Sequence, residues 1–187
     1  DRVKKLVEAE GEFRNDIDPR EIQPIKTPGR IQKLLNEKRC SDLIKDFNSH
    51  IGQKEAIYIR PIPDHVEKIN DKIKYECFAG TRRNFSANFV VKEYNPNFRL
   101  KAFIKDLSDE EASVFTEKEN AKEEWADVEF GFFYADLLAD GTYKNQTELA
   151  NKRNIDKTMV TEFLRFGILR DNYPEIIKAF DQLSDLL

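Results

Sequence analysis

The chain has 187 residues and a formal net charge of −4, with 35% charged and 40% apolar residues, 14 Phe among them. That length allows one or two domains of ordinary size, and the apolar content suffices for a core, which excludes a chain disordered throughout. The acidic balance excludes a general nucleic-acid coat, so any DNA contact must come from a local basic patch; no apolar run approaches bilayer-spanning length and no secretory pattern opens the chain.

Residues 1–40 are charged and broken by Pro19, Pro24 and Pro28-Gly29. Val3, Leu6 and Val7 could line a short helix, and the rest reads as an extended, partly flexible arm. The first residue is Asp1 rather than Met, as expected of a sequence trimmed at its N-terminus. Compact order is expected from Ser41, where Leu43, Ile44, Phe47 and Ile51 recur at helical spacing up to Gly52, a residue suited to lie just beyond a helix end. Cys40 and Cys77 have no Cys or His neighbour at metal-ligand spacing, and His50 and His65 complete no zinc set, so two reduced cysteines of a cytosolic protein are expected.

Ile57 and Ile59 alternate with Tyr58 and Arg60, and Ile73, Tyr75 and Cys77 alternate in the same way, so two half-buried strands are expected, the second ending at Gly80. Phe85, Phe89 and Val90 suggest a helix, and Leu100 to Ile104 another strand. Ser108 with Glu111 makes a capping box that starts a helix carrying Ala112 and Phe115 inward. From Glu129 onward the pattern is helical throughout: Phe132, Phe133, Leu137 and Leu138 on one helix closed by Gly141, two helices between Gln146 and Phe163, and a last one from Pro174. The fold class is therefore α+β, a small mixed-sheet N-domain over 41–115 followed by an all-α domain over 116–187, with the boundary between Asp106 and Ala126.

The stretch Gln146 to Phe163 reads as a helix-turn-helix. Two helices crossing steeply need a small residue at their contact, which Ala150 supplies. The tight turn needs a residue tolerant of positive φ, and Asn154 meets that need. Leu149, Ile155, Val160 and Phe163 fall at the packed positions. The second helix would then offer Lys157, Thr158, Thr161 and Arg165 to a major groove, with Arg153 beside them, while Asp156 and Glu162 oppose phosphate.

Gly80-Thr81-Arg82-Arg83 follows a strand and precedes a helix. Backbone amides at such a helix start point outward, the helix dipole favours an anion, and two arginines add charge with fork geometry. Taken alone, an arginine pair is more often a solvated surface feature. The order of several motifs adds to it: Gly52-Gln53, a strand ending in Arg60-Pro61, a second strand leading into Gly80 to Ala87, then Glu119-Asn120, then the helix-turn-helix.

In this order the chain resembles the ParB family of chromosome and plasmid partition proteins, over roughly residues 41 to 180. That family comprises CTP-binding DNA clamps that load at a centromere-like site, close, slide away and hydrolyse CTP slowly. The resemblance implies that Gly80, Thr81, Arg82 and Arg83 cradle a triphosphate and that Glu119 and Asn120 hold Mg2+ with its phosphates. It implies that Gln53 lies near the γ-phosphate and positions the attacking water, with Gln53, Arg83 and Asn120 as the catalytic set of a slow CTPase. It further implies a homodimer on an inverted-repeat, double-stranded DNA site, a ParA-type ATPase as partner, and a bacterial cytoplasmic place on nucleoid or plasmid. The chain departs from the family at Thr81, where Glu is usual, at Ala56, where Pro is usual, and at Ala121-Lys122-Glu123-Glu124, where an apolar-Gln-Arg run is usual. Two rivals stand beside this reading. One is a helix-turn-helix regulator without nucleotide. The other is a phosphotransferase or nuclease, against which stands the lack of a nucleophile or a second metal-ligand cluster near the motifs.

Overall fold

The computed structural model describes residues 11–26, 35–121, 127–173 and 175. The expected helix at Val3 to Val7, the break at Pro28-Gly29, the run Lys122-Glu123-Glu124 and the helix from Pro174 lie outside the described residues. The chain divides into two compact units that meet between Glu119 and Asn120.

The first unit is built on a mixed five-stranded sheet: β1 Glu12–Ile17, β2 Ile22–Pro24, β3 Ile57–Pro61, β4 Tyr75–Ala79 and β5 Leu100–Ile104. Their order across the sheet is β1-β5-β3-β4-β2. The pairs β1/β5 and β3/β4 are antiparallel, and β3/β5 and β2/β4 are parallel. Side chains alternate between the faces. On one face Ile57, Ile59, Cys77, Leu100 and Ala102 pack against Ile44 and Phe47 of helix α1 (Ser41–Phe47) and Ala87 and Val90 of helix α2 (Thr81–Glu93). On the other face Phe78 and Tyr58 pack against Ala112 and Phe115 of helix α3 (Asp109–Ala121). The Phe78 and Phe115 rings meet edge to face at 5.3 Å.

Helix α3 starts as its capping box requires: Ser108 N donates to Glu111 Oε2 at 2.9 Å and Glu111 N to Ser108 Oγ at 3.3 Å. On the α3 side of the sheet sits a buried ion pair. Arg60 is 2% exposed and its Nη2 lies 2.7 Å from Glu76 Oε2, itself 1% exposed, and 2.6 Å from Asp109 Oδ1. Arg60 Nη1 also donates to the Leu107 carbonyl at 2.9 Å. The guanidinium thereby ties β3 and β4 to the start of α3.

Two expectations are corrected here. Residues 12–24 are not part of an arm: they supply both edge strands, β1 and β2, joined by a 3-10 turn at Pro19–Glu21. The strand β1 is exposed at every position but Ile17, so it carries no apolar alternation that would have revealed it. Five residue steps from Ile17 to Ile22 reach at most about 18 Å, whereas four interstrand spacings laid flat come to about 19 Å. The sheet must therefore curl. Helix α1 also stops earlier than the sequence suggests, at Phe47, with Asn48 as its C-cap. Gly52 takes a positive φ five residues later, its N–H on the Asp46 carbonyl, and Ile51 is exposed rather than packed.

The second unit is helical in its described residues: α4 Asp127–Ala139, α5 Gln146–Arg153 and α6 Lys157–Asn172. Phe133, Tyr134, Leu137, Tyr143, Leu149, Ala150, Val160 and Leu164 form its core. Helices α4 and α6 approach closely because Gly131 and Gly167 sit at their contact. A Cβ at Gly131 would meet the Phe163 carbonyl, and one at Gly167 would meet the Ala135 side chain.

Candidate functional site

Strand β4 ends at Gly80, the N-cap of α2, with φ 92° and ψ 33°. That left-handed conformation costs glycine little, and a Cβ there would lie 2.8 Å from Ile57 Cγ2. No side chain caps α2. Its first amides, those of Thr81, Arg82 and Arg83, therefore have no acceptor within the helix and face outward with the positive end of the helix dipole. The turn thus presents an anion-binding geometry on a 13-residue helix.

The two arginines flank this helix start, and each has a carboxylate. Arg82 Nη2 donates to the Arg39 carbonyl at 2.9 Å and to Asp42 Oδ1 at 3.0 Å, on the segment entering α1. Arg83 pairs with Glu55, whose side chain is largely exposed. An entering polyanion would compete with Asp42 and Glu55 for these guanidinium groups. Thr81 is buried and lines a neighbouring cavity.

Gln53 is 4% exposed. Its Nε2 donates to the carbonyls of Glu55 and Lys101 at 2.8 and 2.9 Å, and its Oε1 accepts from Lys101 N at 2.6 Å. Both amide hydrogens are thus committed to backbone. In this conformation Gln53 braces the approach of β3 to β5, which differs from the water-positioning place the resemblance implied.

Helix α3 runs alongside β4 in the same sense. Asp109 meets Arg60 beside Glu76, and Thr116 Oγ1 lies 2.6 Å from the Phe78 carbonyl. Glu119 lies further along α3 and is half-buried. Asn120 follows on the same helix, and its side chain lies outside the described residues. Among the described residues no group of three or more His, Cys, Asp or Glu side chains is placed to hold a metal. Magnesium on a triphosphate needs only one or two carboxylates, because phosphates and waters fill the remaining positions. A magnesium site that used Glu119 would therefore need the phosphates of a nucleotide to complete it.

Neither cysteine is exposed. Burial pushes the Cys77 thiol up to about 12, with a backbone hydrogen bond at Ala79 and the charge of Arg83 pulling the other way. Cys40 is buried as well.

In the second unit the turn between α5 and α6 has the expected geometry. Asn154 adopts φ 55° and ψ 45°, and the amide of Ile155 bonds the Ala150 carbonyl at 3.1 Å. Asn145 caps α5 by accepting from Glu148 N at 3.0 Å, and Asp156 caps α6 by accepting from Thr158 N at 2.6 Å. Those backbone hydrogen bonds hold the Asp156 carboxyl below its ordinary range. Lys157, Thr158, Thr161 and Arg165 are all exposed on one side of α6. Lys157 and Arg165 make no ion pair with a described residue. The Thr161 hydroxyl lies 2.9 Å from the Lys157 carbonyl, to which it donates, and 3.4 Å from Gln146 Oε1. Arg153 differs from these four: it is half-buried, its guanidinium 5.5 Å from the Tyr143 ring centre. Glu162 adds an exposed acid on the same helix.

The class so defined is an α+β domain with an anion-presenting helix start, followed by a helical unit carrying a helix-turn-helix. No protein-family model and no curated protein sequence matches the chain. Among solved structures the chain is similar to C-terminally truncated chromosome-partitioning protein ParB from Caulobacter crescentus complexed with CTP-γ-S, at 19% identity and a TM-score of 0.46, covering 94% of this chain and 87% of that one. It is also similar to the same protein complexed to the centromeric parS site, at 18% identity and a TM-score of 0.43, covering 82% of this chain and 70% of that one.

Proposed function

We propose that this chain is a partition-type DNA-binding protein whose first unit binds a nucleoside triphosphate and thereby controls its hold on DNA. The observation that carries the reading is the helix α6 face. Lys157, Thr158, Thr161 and Arg165 stand exposed on a helix set by the left-handed Asn154 turn, the presentation a major groove requires. The nucleotide would be CTP with Mg2+, as the motif order from Gly52 to Asn120 suggests. Its phosphates would meet the outward amides after Gly80 and the guanidinium groups of Arg82 and Arg83. Glu119 and Asn120 would supply the carboxylate and amide on the magnesium side. The ion neutralises phosphate charge when bound, and slow CTP hydrolysis belongs to the same proposal. A homodimer on an inverted-repeat DNA site, and a ParA-type ATPase as partner, complete it.

Lys157, Thr158, Thr161 and Arg165 are the residues assigned to DNA in this reading, with Arg153 supporting the turn from its place over Tyr143. Gln53 enters as a brace of the sheet. The nucleotide-free regulator is the second reading, and one observation favours it: Arg82 and Arg83 are already matched by Asp42 and Glu55.

A selection from random double-stranded DNA, run with and without CTP and magnesium, tests the proposal. The expected result is an enriched inverted repeat, weakened about tenfold or more by Lys157→Ala or Arg165→Ala and weakened further by salt. Calorimetry with CTP and magnesium should show binding that Arg83→Ala abolishes. An enriched site with no nucleotide binding selects the second reading, and no enriched site under either condition refutes both.

A further inference from the structure

Helix α6 turns Val160, Leu164 and Gly167 into the core of the second unit. At about 100° per residue, the line of side chains opposite them is Thr158, Glu162 and Arg165, and all three are exposed. Lys157 and Thr161 stand to one flank of that line. Glu162 therefore sits at the middle of the face that follows the Asn154 turn, on the second turn of the helix. A groove that admits α6 must take this carboxylate in.

Two acids lie in this part of the chain, and only one has a structural task. Asp156 is the N-cap and accepts from Thr158 N at 2.6 Å. Glu162 caps nothing and lies beyond the first turn, where the helix dipole has faded. Among the described residues it makes no hydrogen bond or ion pair, not even with Arg165 one turn later. A carboxylate on the central line of a DNA-reading helix is repelled by the phosphates on both sides of the groove, so it weakens binding to every sequence that offers it no donor. The major groove holds two base donors, the N4 amino group of cytosine and the N6 amino group of adenine. Adenine sets its N7 acceptor beside the donor, which suits an amide and repels a carboxylate. Cytosine carries no acceptor of its own on that edge, so its amino group is the match for a carboxylate.

We infer that Glu162 is a specificity-determining residue, its carboxylate accepting from the N4 amino group of a cytosine at one fixed position of the half-site. The inference rests on the DNA-binding reading above and adds a base to it. Attraction then comes from Lys157 at the edge of the face, through phosphate, and discrimination from Glu162 at its centre.

The test is a selection from random double-stranded DNA with wild type, Glu162→Gln and Glu162→Ala, followed by fluorescence anisotropy on defined duplexes. Glu162 is exposed, so the variants should fold, and thermal melts check this. The wild type is expected to enrich a half-site with one cytosine whose replacement by any other base weakens binding about tenfold. Glu162→Gln should move the preference at that same position to adenine, whose N6 and N7 match an amide. Glu162→Ala should discriminate no base there and bind random-sequence DNA more tightly than wild type. A base profile unchanged in either folded variant overturns the inference: Glu162 then only repels phosphate, and Glu162→Ala tightens binding to all sequences alike. A wild-type preference for a base other than cytosine at the position that changes overturns it as well. Absence of any enriched sequence with the wild type removes the DNA reading itself, and this inference with it.

Discussion

Replacing Gln53 by Ala is expected to destabilise the first unit rather than to slow a reaction. The side chain supplies three hydrogen bonds to backbone, at 2.8, 2.9 and 2.6 Å, in a place 4% exposed. A net contribution of about 1 kcal/mol per bond gives a loss of about 3 kcal/mol. Against a domain stability of about 5–15 kcal/mol that is a large share. With a urea dependence of about 1.5–2 kcal/mol per molar, the unfolding midpoint followed by circular dichroism should fall by roughly 1.5–2 M. Gln53→Glu should also fall, because a carboxylate can still accept from Lys101 N but has no hydrogens for the two carbonyls. A Gln53→Ala midpoint within about 0.3 M of wild type would refute the bracing role. If that variant also bound CTP normally and released phosphate more slowly, the water-positioning role would be restored.

Arg60→Ala strands the Glu76 carboxylate in the core and should cost about 3–5 kcal/mol, whereas Arg60→Met with Glu76→Leu should recover most of it; equal losses in the single and double variants, read by urea unfolding, would contradict the pairing. Burial works to raise the Asp109 carboxyl, but the hydrogen bond and charge of Arg60, with His65 adding to them, win and hold it below its ordinary range. Its folded pKa is thus lower than its unfolded one, so its contribution is full above the unfolded value, about 3.9, and is lost as the pH falls through the lowered native value. Asp109→Asn should therefore lower the urea midpoint at pH 6 and converge with wild type in strong acid; a constant gap across the range would exclude the linkage. Gly80→Ala forces a Cβ against Ile57 at a φ of 92°, and should lower the melting temperature by several degrees and abolish CTP binding by calorimetry.

What the sequence disclosed were the features that close over short spans. Ala150, Asn154 and Val160 lie within about one helix-turn-helix of each other, and the geometry they demand is local. The capping box at Ser108 and the Gly80 turn were legible for the same reason. The strand β1 was not, because an edge strand exposed on both faces, Glu12-Phe13-Arg14-Asn15-Asp16, has no periodicity to show, and β2 was not, because three residues ending in proline, Ile22-Gln23-Pro24, are too few to show any. The hydrogen bonds of Gln53 were not legible because its partner is Lys101, 48 residues away, and an amide looks the same whether it faces a ligand or a carbonyl. Arg60 was marked only as a motif residue, while its burial against Glu76 depends on two strands meeting.

The curled sheet, both of whose edges come from Glu12–Pro24, has a consequence for biosynthesis. This stretch is synthesised before the strands it pairs with: Glu12 pairs with Ile104, about 90 residues later, and Ile22 pairs with Tyr75. At synthesis rates of about 5–20 residues per second, the future edges wait roughly 5–18 s for β5 to appear. During that interval β1 is protected from wrong pairing only by its own charge, Glu12, Arg14 and Asp16 on a strand of six residues. The absence of apolar alternation that hid β1 from sequence reading is thus what keeps the nascent chain from adhering to its neighbours before the sheet can close.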